Sequence, residues 1–218
     1  MVVTQASWSR RKSSKGWWVG ALICAALFAL IYAYCASAGF DMVTRADEVI
    51  AEAAAGTVSD RYTDIWKGLT SLGDTTTIIG ATVVLVLVIA AVSGIAQGGW
   101  LLASTAASYG LNTLIKHLVA RERPDAMWGI EVASYSFPSA NAMLTLSLYL
   151  LFAIMFARSP RVHPAIRALV VAASILLIAA MGWSRLYFSV HYATDIAAGF
   201  SAGGAIVCAA AAFSKART

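Results

Sequence analysis

The sequence predicts an all-α fold, a six-transmembrane-helix bundle with short extracytoplasmic interfacial helices, and three observations lead there. Sixty per cent of the 218 residues are hydrophobic and only 12% are charged, against roughly a quarter charged in soluble domains. Six apolar runs, none with more than one charged residue, are long enough to cross a hydrocarbon core about 30 Å thick, which takes roughly 20 residues per helix. Runs such as Val83 to Val88 are apolar throughout, without the every-second-residue alternation of a membrane barrel strand.

The first run, Trp17 to Ala38, follows Arg10, Arg11, Lys12 and Lys15, which makes residues 1–16 a basic tail. Ala36-Ser37-Ala38 resembles a signal-peptide cleavage site, but the run is long for a signal and is taken as a spanning helix. Residues 39–76 form an extracytoplasmic connector. Within it, Asp41 to Ala55 has the composition and near-helical apolar spacing of an interfacial helix. Tyr62 to Leu72 carries Trp66, a residue type that favours the headgroup region. Both pieces suit either a lipid entrance or a packed connector.

The second and third runs, Thr77 to Ala96 and Gly99 to Ile115, meet at Gly98-Gly99, where a tight helical hairpin is expected. The fourth, fifth and sixth are Ala140 to Ala157, Ala165 to Trp183 and Val190 to Phe213. One domain, residues 1–218, accounts for all of them.

The net charge of +5 would raise the question of nucleic acid in a soluble protein. Here its distribution follows the positive-inside rule instead. Arg10, Arg11, Lys12, Lys15, Arg158, Arg161, Arg167, Lys215 and Arg217 fall on one side of a six-helix topology. That side is cytoplasmic, with both termini on it, in a multi-pass protein of the cytoplasmic membrane. Cys24, Cys35 and Cys208 lie inside apolar runs, where they act as small hydrophobes; their spacing suits neither a metal site nor a disulfide framework.

The opposite face collects polar groups that are costly near membrane depth. Lys116 ends the third helix and Arg123-Pro124 follows; Arg185 ends the fifth; His191 opens the sixth, with Asp195 one turn on; Ser139 follows Pro138 at the start of the fourth. Three cations, a hydroxyl, a helix N-terminus and a His with a carboxylate match what a phosphoryl group requires. His191 and Asp195, at i and i+4, share a helix face, so the carboxylate can fix the imidazole tautomer and leave the other nitrogen to attack phosphorus. Taken singly, each residue also fits a structural role. The cations fit as interfacial anchors, His191 and Asp195 as a hydrogen-bonded pair, and Ser139 as a helix cap. Their occurrence together on one side favours a site.

In order, the pieces are Lys116-x6-Arg123-Pro124, Ser136-Phe137-Pro138-Ser139-Ala140-Asn141 and Ser184-Arg185-x5-His191-x3-Asp195. This resembles the three-part signature of the type 2 phosphatidic acid phosphatase superfamily, with the first and third parts matched without a gap. The resemblance implies a lipid phosphatase that uses no metal or other cofactor. It makes His191 the nucleophile of a phosphohistidine intermediate and Asp195 its orienter, with Lys116, Arg123, Ser139, the Ala140 N–H and Arg185 holding the phosphoryl oxygens. The partner is then a phosphorylated lipid in the membrane, with no nucleic acid.

The second part departs from the family, which has Pro-Ser-Gly-His where this chain has Pro138-Ser139-Ala140-Asn141. In the family that histidine protonates the leaving oxygen and helps water attack the intermediate. Asn141 can hydrogen-bond but cannot transfer a proton at neutral pH. His163 belongs to a cytoplasmic loop, and His117 lies about 100° around the helix from Lys116. General acid–base help is worth about 10² to 10⁴ in rate, so weakened activity is expected, with a tilt towards a polyprenyl diphosphate, whose leaving group needs little protonation, over a phosphatidate. Three readings of Asn141 stand: natural variation in an active enzyme, an inactivating substitution, or the mark of a protein that only binds or transports lipid phosphates. A phosphotransferase is a close variant of the enzyme reading.

Overall fold

The computed structural model describes residues 4–40, 42–125 and 132–214, with side chains from residue 14 onward. Asp41, the side chains of Arg10, Arg11 and Lys12, and Lys215 and Arg217 therefore lie outside the described residues. Among those described, every regular element is helical. These are α1 (Thr4–Ala38), α2 (Arg45–Ala55), α3 (Asp60–Ser71), α4 (Thr75–Ser93), α5 (Ile95–Val119), α6 (Ala140–Thr145), a π-helical turn (Leu146–Leu150), α7 (Leu151–Ala157), α8 (Pro164–Tyr187) and α9 (Ala193–Phe213).

Among the described residues, five segments are long and apolar enough to cross a membrane: Ser14–Ala38, Thr75–Ser93, Ala140–Ala157, Pro164–Tyr187 and Ala193–Phe213. α5, with 25 residues, is longer than some of these but more polar. The outward surface is that of a protein dissolved in lipid: Leu22, Leu30, Leu87, Leu169 and Leu176 are each about two-thirds exposed. In water such a surface would aggregate.

One expectation needs correction. The hairpin between the second and third runs does not turn at Gly98-Gly99. It turns at Gly94, whose φ of +101° is a conformation only glycine adopts without strain. Gly98 lies inside α5, buried against α4. The expected basic tail, residues 1–16, is helical from Thr4, where α1 begins.

Local chemistry sets the other boundaries. Thr44 and Asp47 form a reciprocal capping box at the start of α2. Pro164 occupies the first turn of α8 behind His163, whose ring accepts the Ala165 N–H at 3.3 Å. His191 stands just ahead of α9 rather than in it, and Asp195 reaches back to accept the Tyr192 N–H at 2.9 Å.

α9 is the hub, packing along α1 and against α2, α5, α6, α7 and α8. Gly199 and Gly203, one turn apart, let it meet α6 almost backbone to backbone: a Cβ at Gly199 would stand 2.6 Å from the Ser139 carbonyl oxygen, and one at Gly203 2.8 Å from that of Met143. The main apolar core lies below this contact, where Leu144, Leu148, Leu151 and Phe152 pack against Val207 and Ala211. Holding α6 to α9 brings Asn141, at the start of one, beside His191, just ahead of the other.

Candidate active site

His191 stands at the end of the short Phe188–Tyr192 crossing between α8 and α9, 5% exposed. Its Nδ1 faces Asp195 Oδ2 at 3.4 Å and the Ser136 hydroxyl at 3.3 Å. Its Nε2 faces Arg123 Nη1 at 3.0 Å. A guanidinium can only donate, so Nε2 is the lone-pair nitrogen and Nδ1 carries the proton towards Asp195. Burial, helped by the positive charge of Arg123, pushes the imidazole pKa down to about 3 against the pull of Asp195. The ring is therefore neutral at ordinary pH, as a nucleophile must be.

Asp195 is fully buried and divides its oxygens. Oδ1 takes Arg121 Nη1 at 2.8 Å, while Oδ2 takes the Ser136 hydroxyl, the Tyr192 N–H and His191. Arg121 is itself 1% exposed. It donates to Thr194 Oγ1 at 2.9 Å and to Asp47 Oδ2 at 3.0 Å, and its guanidinium lies 4.0 Å over the Tyr192 ring. Burial works against its charge, yet the Asp195 and Asp47 carboxylates together raise its pKa. Asp47 also accepts the Thr194 N–H at 2.9 Å, so the connector helix α2 is tied to the first turn of α9 by the same cluster.

Two cavities that share Arg123 and Ala140 in their walls open here, the first beside His191. One of about 510 Å³ is lined by Lys67, Asp74, Arg123, Asn141, Arg185 and His191 among others. A second of about 700 Å³ is lined by Asn112, Lys116, His117, Arg121, Arg123 and Tyr135 among others, and Ala140 borders both. Lys116 Nζ is held by the carbonyls of Tyr135 and Ser136. Arg123 is anchored on Ser134 O and Val190 O, each at 2.6 Å, and burial lowers its pKa to about 10. Arg185 Nη2 donates to Thr70 O at 2.8 Å, but its Nε has no partner, and neither has Asn141 Nδ2.

Of the residues singled out from sequence, Arg123, Ala140, Asn141, Arg185 and His191 therefore border the first cavity and Lys116, Arg123 and Ala140 the second, with Asp195 directly behind His191. Ser139 lines neither cavity. It is fully buried, its hydroxyl accepts the Ala142 N–H at 3.4 Å and its own N–H donates to Asp195 O at 3.0 Å, so it caps α6 and fixes the direction of that helix. His117 borders the second cavity, edge-on to Tyr135. Trp66, expected among headgroups, packs on Tyr187 at 5.8 Å.

Sequence reasoning passed over Arg121, Asp47, Ser136 and Thr194 as site residues. Arg121 carried the same signal as Arg123, a cation in a loop at membrane depth. Asp47 stood in the readable Thr44-x-x-Asp47 cap pattern. Nothing in the sequence marked Thr194.

The model of the PAP2 superfamily matches residues 97–218, which include every residue of the His191 site named above except Asp47, Lys67, Thr70 and Asp74. The chain is 28% identical over 182 residues to phosphatidylglycerophosphatase B of Bacillus subtilis (strain 168), covering 81% of this chain and 86% of that one. It is 34% identical over 117 residues to the decaprenylphosphoryl-5-phosphoribose phosphatase of Mycobacterium tuberculosis, covering 50% of this chain and 59% of that one. The crystal structure of a transmembrane PAP2-type phosphatidylglycerolphosphate phosphatase from Bacillus subtilis superposes with a TM-score of 0.78 over 89% of this chain and 95% of that one, at 23% identity.

Proposed function

Because the chain belongs to the PAP2 superfamily, we propose that it is a lipid phosphate or diphosphate phosphohydrolase working through a phosphohistidine on His191. The observation that carries the reading is the polarity of that ring: Nδ1 towards Asp195, Nε2 towards Arg123, which lines both the His191 cavity with Arg185 and the neighbouring cavity with Lys116. Relatives that are phosphatases of phosphorylated lipids support it.

In the free protein Arg123 Nη1 occupies the approach to Nε2. An arriving phosphoryl group takes that place, with its oxygens drawn between the three cations and the N–H groups of Ala140 and Asn141 at the start of α6. Charge neutralisation then comes from side chains, with no metal required. Nε2 attacks in line, the ester or anhydride oxygen leaves, and Asp195 stabilises the imidazolium character that develops at Nδ1. Water resolves the intermediate; an alcohol acceptor in its place makes the chain a phosphotransferase.

The proposed topology places α5 as a sixth crossing, since its 25 residues extend roughly 37 Å. Both termini then face the cytoplasm and the site opens on the outer side of the cytoplasmic membrane, within a single domain of residues 1–218, α2 and α3 lying at that interface. A substrate keeps its apolar tail in the bilayer.

The unpartnered Asn141 amide favours one rival, a binder or transporter of lipid phosphates that lacks proton transfer. Purified protein in detergent, given undecaprenyl diphosphate or phosphatidate, distinguishes the two. Phosphate release is expected, abolished in His191→Ala and raised roughly 10-fold or more in Asn141→His. Lipid binding with no release would establish the binder. Topology is checked with Asp125→Cys, which an impermeant thiol reagent should label in intact cells.

A further inference from the structure

We propose, on the basis of the phosphohistidine reading above, that Asp74 supplies the general base that Asn141 cannot, drawing a proton from the water that hydrolyses the intermediate. The turn carrying Gly73 and Asp74 between α3 and α4 lies directly on Asn141: there is no room for a Cβ at Gly73, because the Asn141 amide and Met181 fill that space. Asp74 is therefore placed beside the position whose residue should handle protons. It lines the same cavity of about 510 Å³ as His191, Arg123, Arg185 and Asn141, and it is the one carboxylate among the described residues lining it.

The Asp74 side chain is exposed to that space. It stands at the N-cap of α4 yet accepts no capping hydrogen bond, an unusual waste of an aspartate at a helix start. Its charge instead acts across the cavity on Arg185, whose Nε is without a partner. The other titratable groups lining the cavity, Lys67, Arg123, Arg185 and His191, are cations or the nucleophile itself.

In this step a water O–H bond breaks and its proton passes to an Asp74 oxygen. The water oxygen bonds to phosphorus, and the bond from phosphorus to His191 Nε2 breaks with its electron pair returning to the imidazole. Inorganic phosphate leaves, and the Asp74 proton is lost to solvent. No oxidant, reductant or co-reactant is needed. Asp74 is then required in the second half-reaction and not in the first.

Rapid-quench kinetics on the full chain in detergent, with undecaprenyl diphosphate as the probe, test this. Asp74→Asn should leave the first-turnover burst within about threefold. It should lower steady-state phosphate release by about 10² and let acid-labile phosphohistidine accumulate. Asp74→Glu should keep at least a tenth of the steady-state rate, and Asn141→His should restore release in the Asp74→Asn background. Unchanged steady-state release in Asp74→Asn, or a burst that falls by the same factor, overturns the assignment. Absence of any burst and release in the unsubstituted chain instead overturns the phosphatase reading, and the Asp74 role with it.

Discussion

Arg121 Nη1 lies 2.8 Å from Asp195 Oδ1, with both side chains withdrawn from solvent. This contact holds one oxygen of the Asp195 carboxylate, so that the other stays aimed at Ser136, the Tyr192 N–H and His191. A guanidinium suits the place because its fork meets Asp195, Thr194 and Asp47 at once, which a single ammonium cannot do. Arg121→Lys should therefore lower kcat by about 10 to 10² while KM stays within threefold, since a small misplacement of a catalytic group costs rates of that order. Arg121→Met, which strands two buried carboxylates, should cost about 3 to 5 kcal/mol of stability. A thermal midpoint in detergent reads the second effect. If Arg121→Lys changed stability but not kcat, Arg121 would be structural only.

The backbone contact between α9 and α6 is the second place where packing and chemistry meet. A methyl at Gly199 would lie 2.6 Å from the Ser139 carbonyl oxygen and 3.0 Å from the Ala142 Cβ. Neither can retreat without moving the start of α6, which carries Ala140 and Asn141 to the cavity. Gly199→Ala should lose about 1 to 3 kcal/mol and should lower kcat with it. Gly80→Ala, on an open face of α4 with nothing within 4 Å, serves as the control and should change neither. Equal midpoints for the two variants would refute the close approach.

What the sequence made legible follows from what stands out in an apolar chain. Lys116, Arg123, Arg185 and His191 could be found because a charge or an imidazole at membrane depth requires a reason, and helix ends on one face can converge. Arg121 gave the same signal, but its role depends on Asp47, 74 positions away. That partnership comes from the docking of α2 against the start of α9, which no local pattern encodes. Ser139 shows the converse: its cap position was readable, yet whether its hydroxyl turns to the cavity or to the Ala142 N–H is settled only by packing. The hairpin was misplaced because Gly94, Gly98 and Gly99 are alike in composition. Only the meeting of α4 with α5 decides which turns and which packs.

His191 also carries a pH dependence of defined sign. Burial, with Arg123 alongside, brings its folded pKa down to about 3, whereas in an unfolded chain an imidazole titrates near 6.5. Between those values the unfolded state binds a proton that the folded state refuses, so this contribution is fully present above pH 6.5 and is lost as pH falls towards 3. The loss runs at about 1.4 kcal/mol per pH unit, or about 2 kcal/mol between pH 6.5 and 5. His191→Gln removes the titrating group and should flatten the acid side of a plot of unfolding free energy against pH by that amount. The same depression keeps His191, the proposed nucleophile, neutral from pH 5 to 8, so kcat/KM over that range should show no inflection from it. If the stability curves of the two proteins ran parallel down to pH 5, the imidazole would be taking up its proton in the folded state, and the neutral Nε2 assigned to attack phosphorus would be wrong.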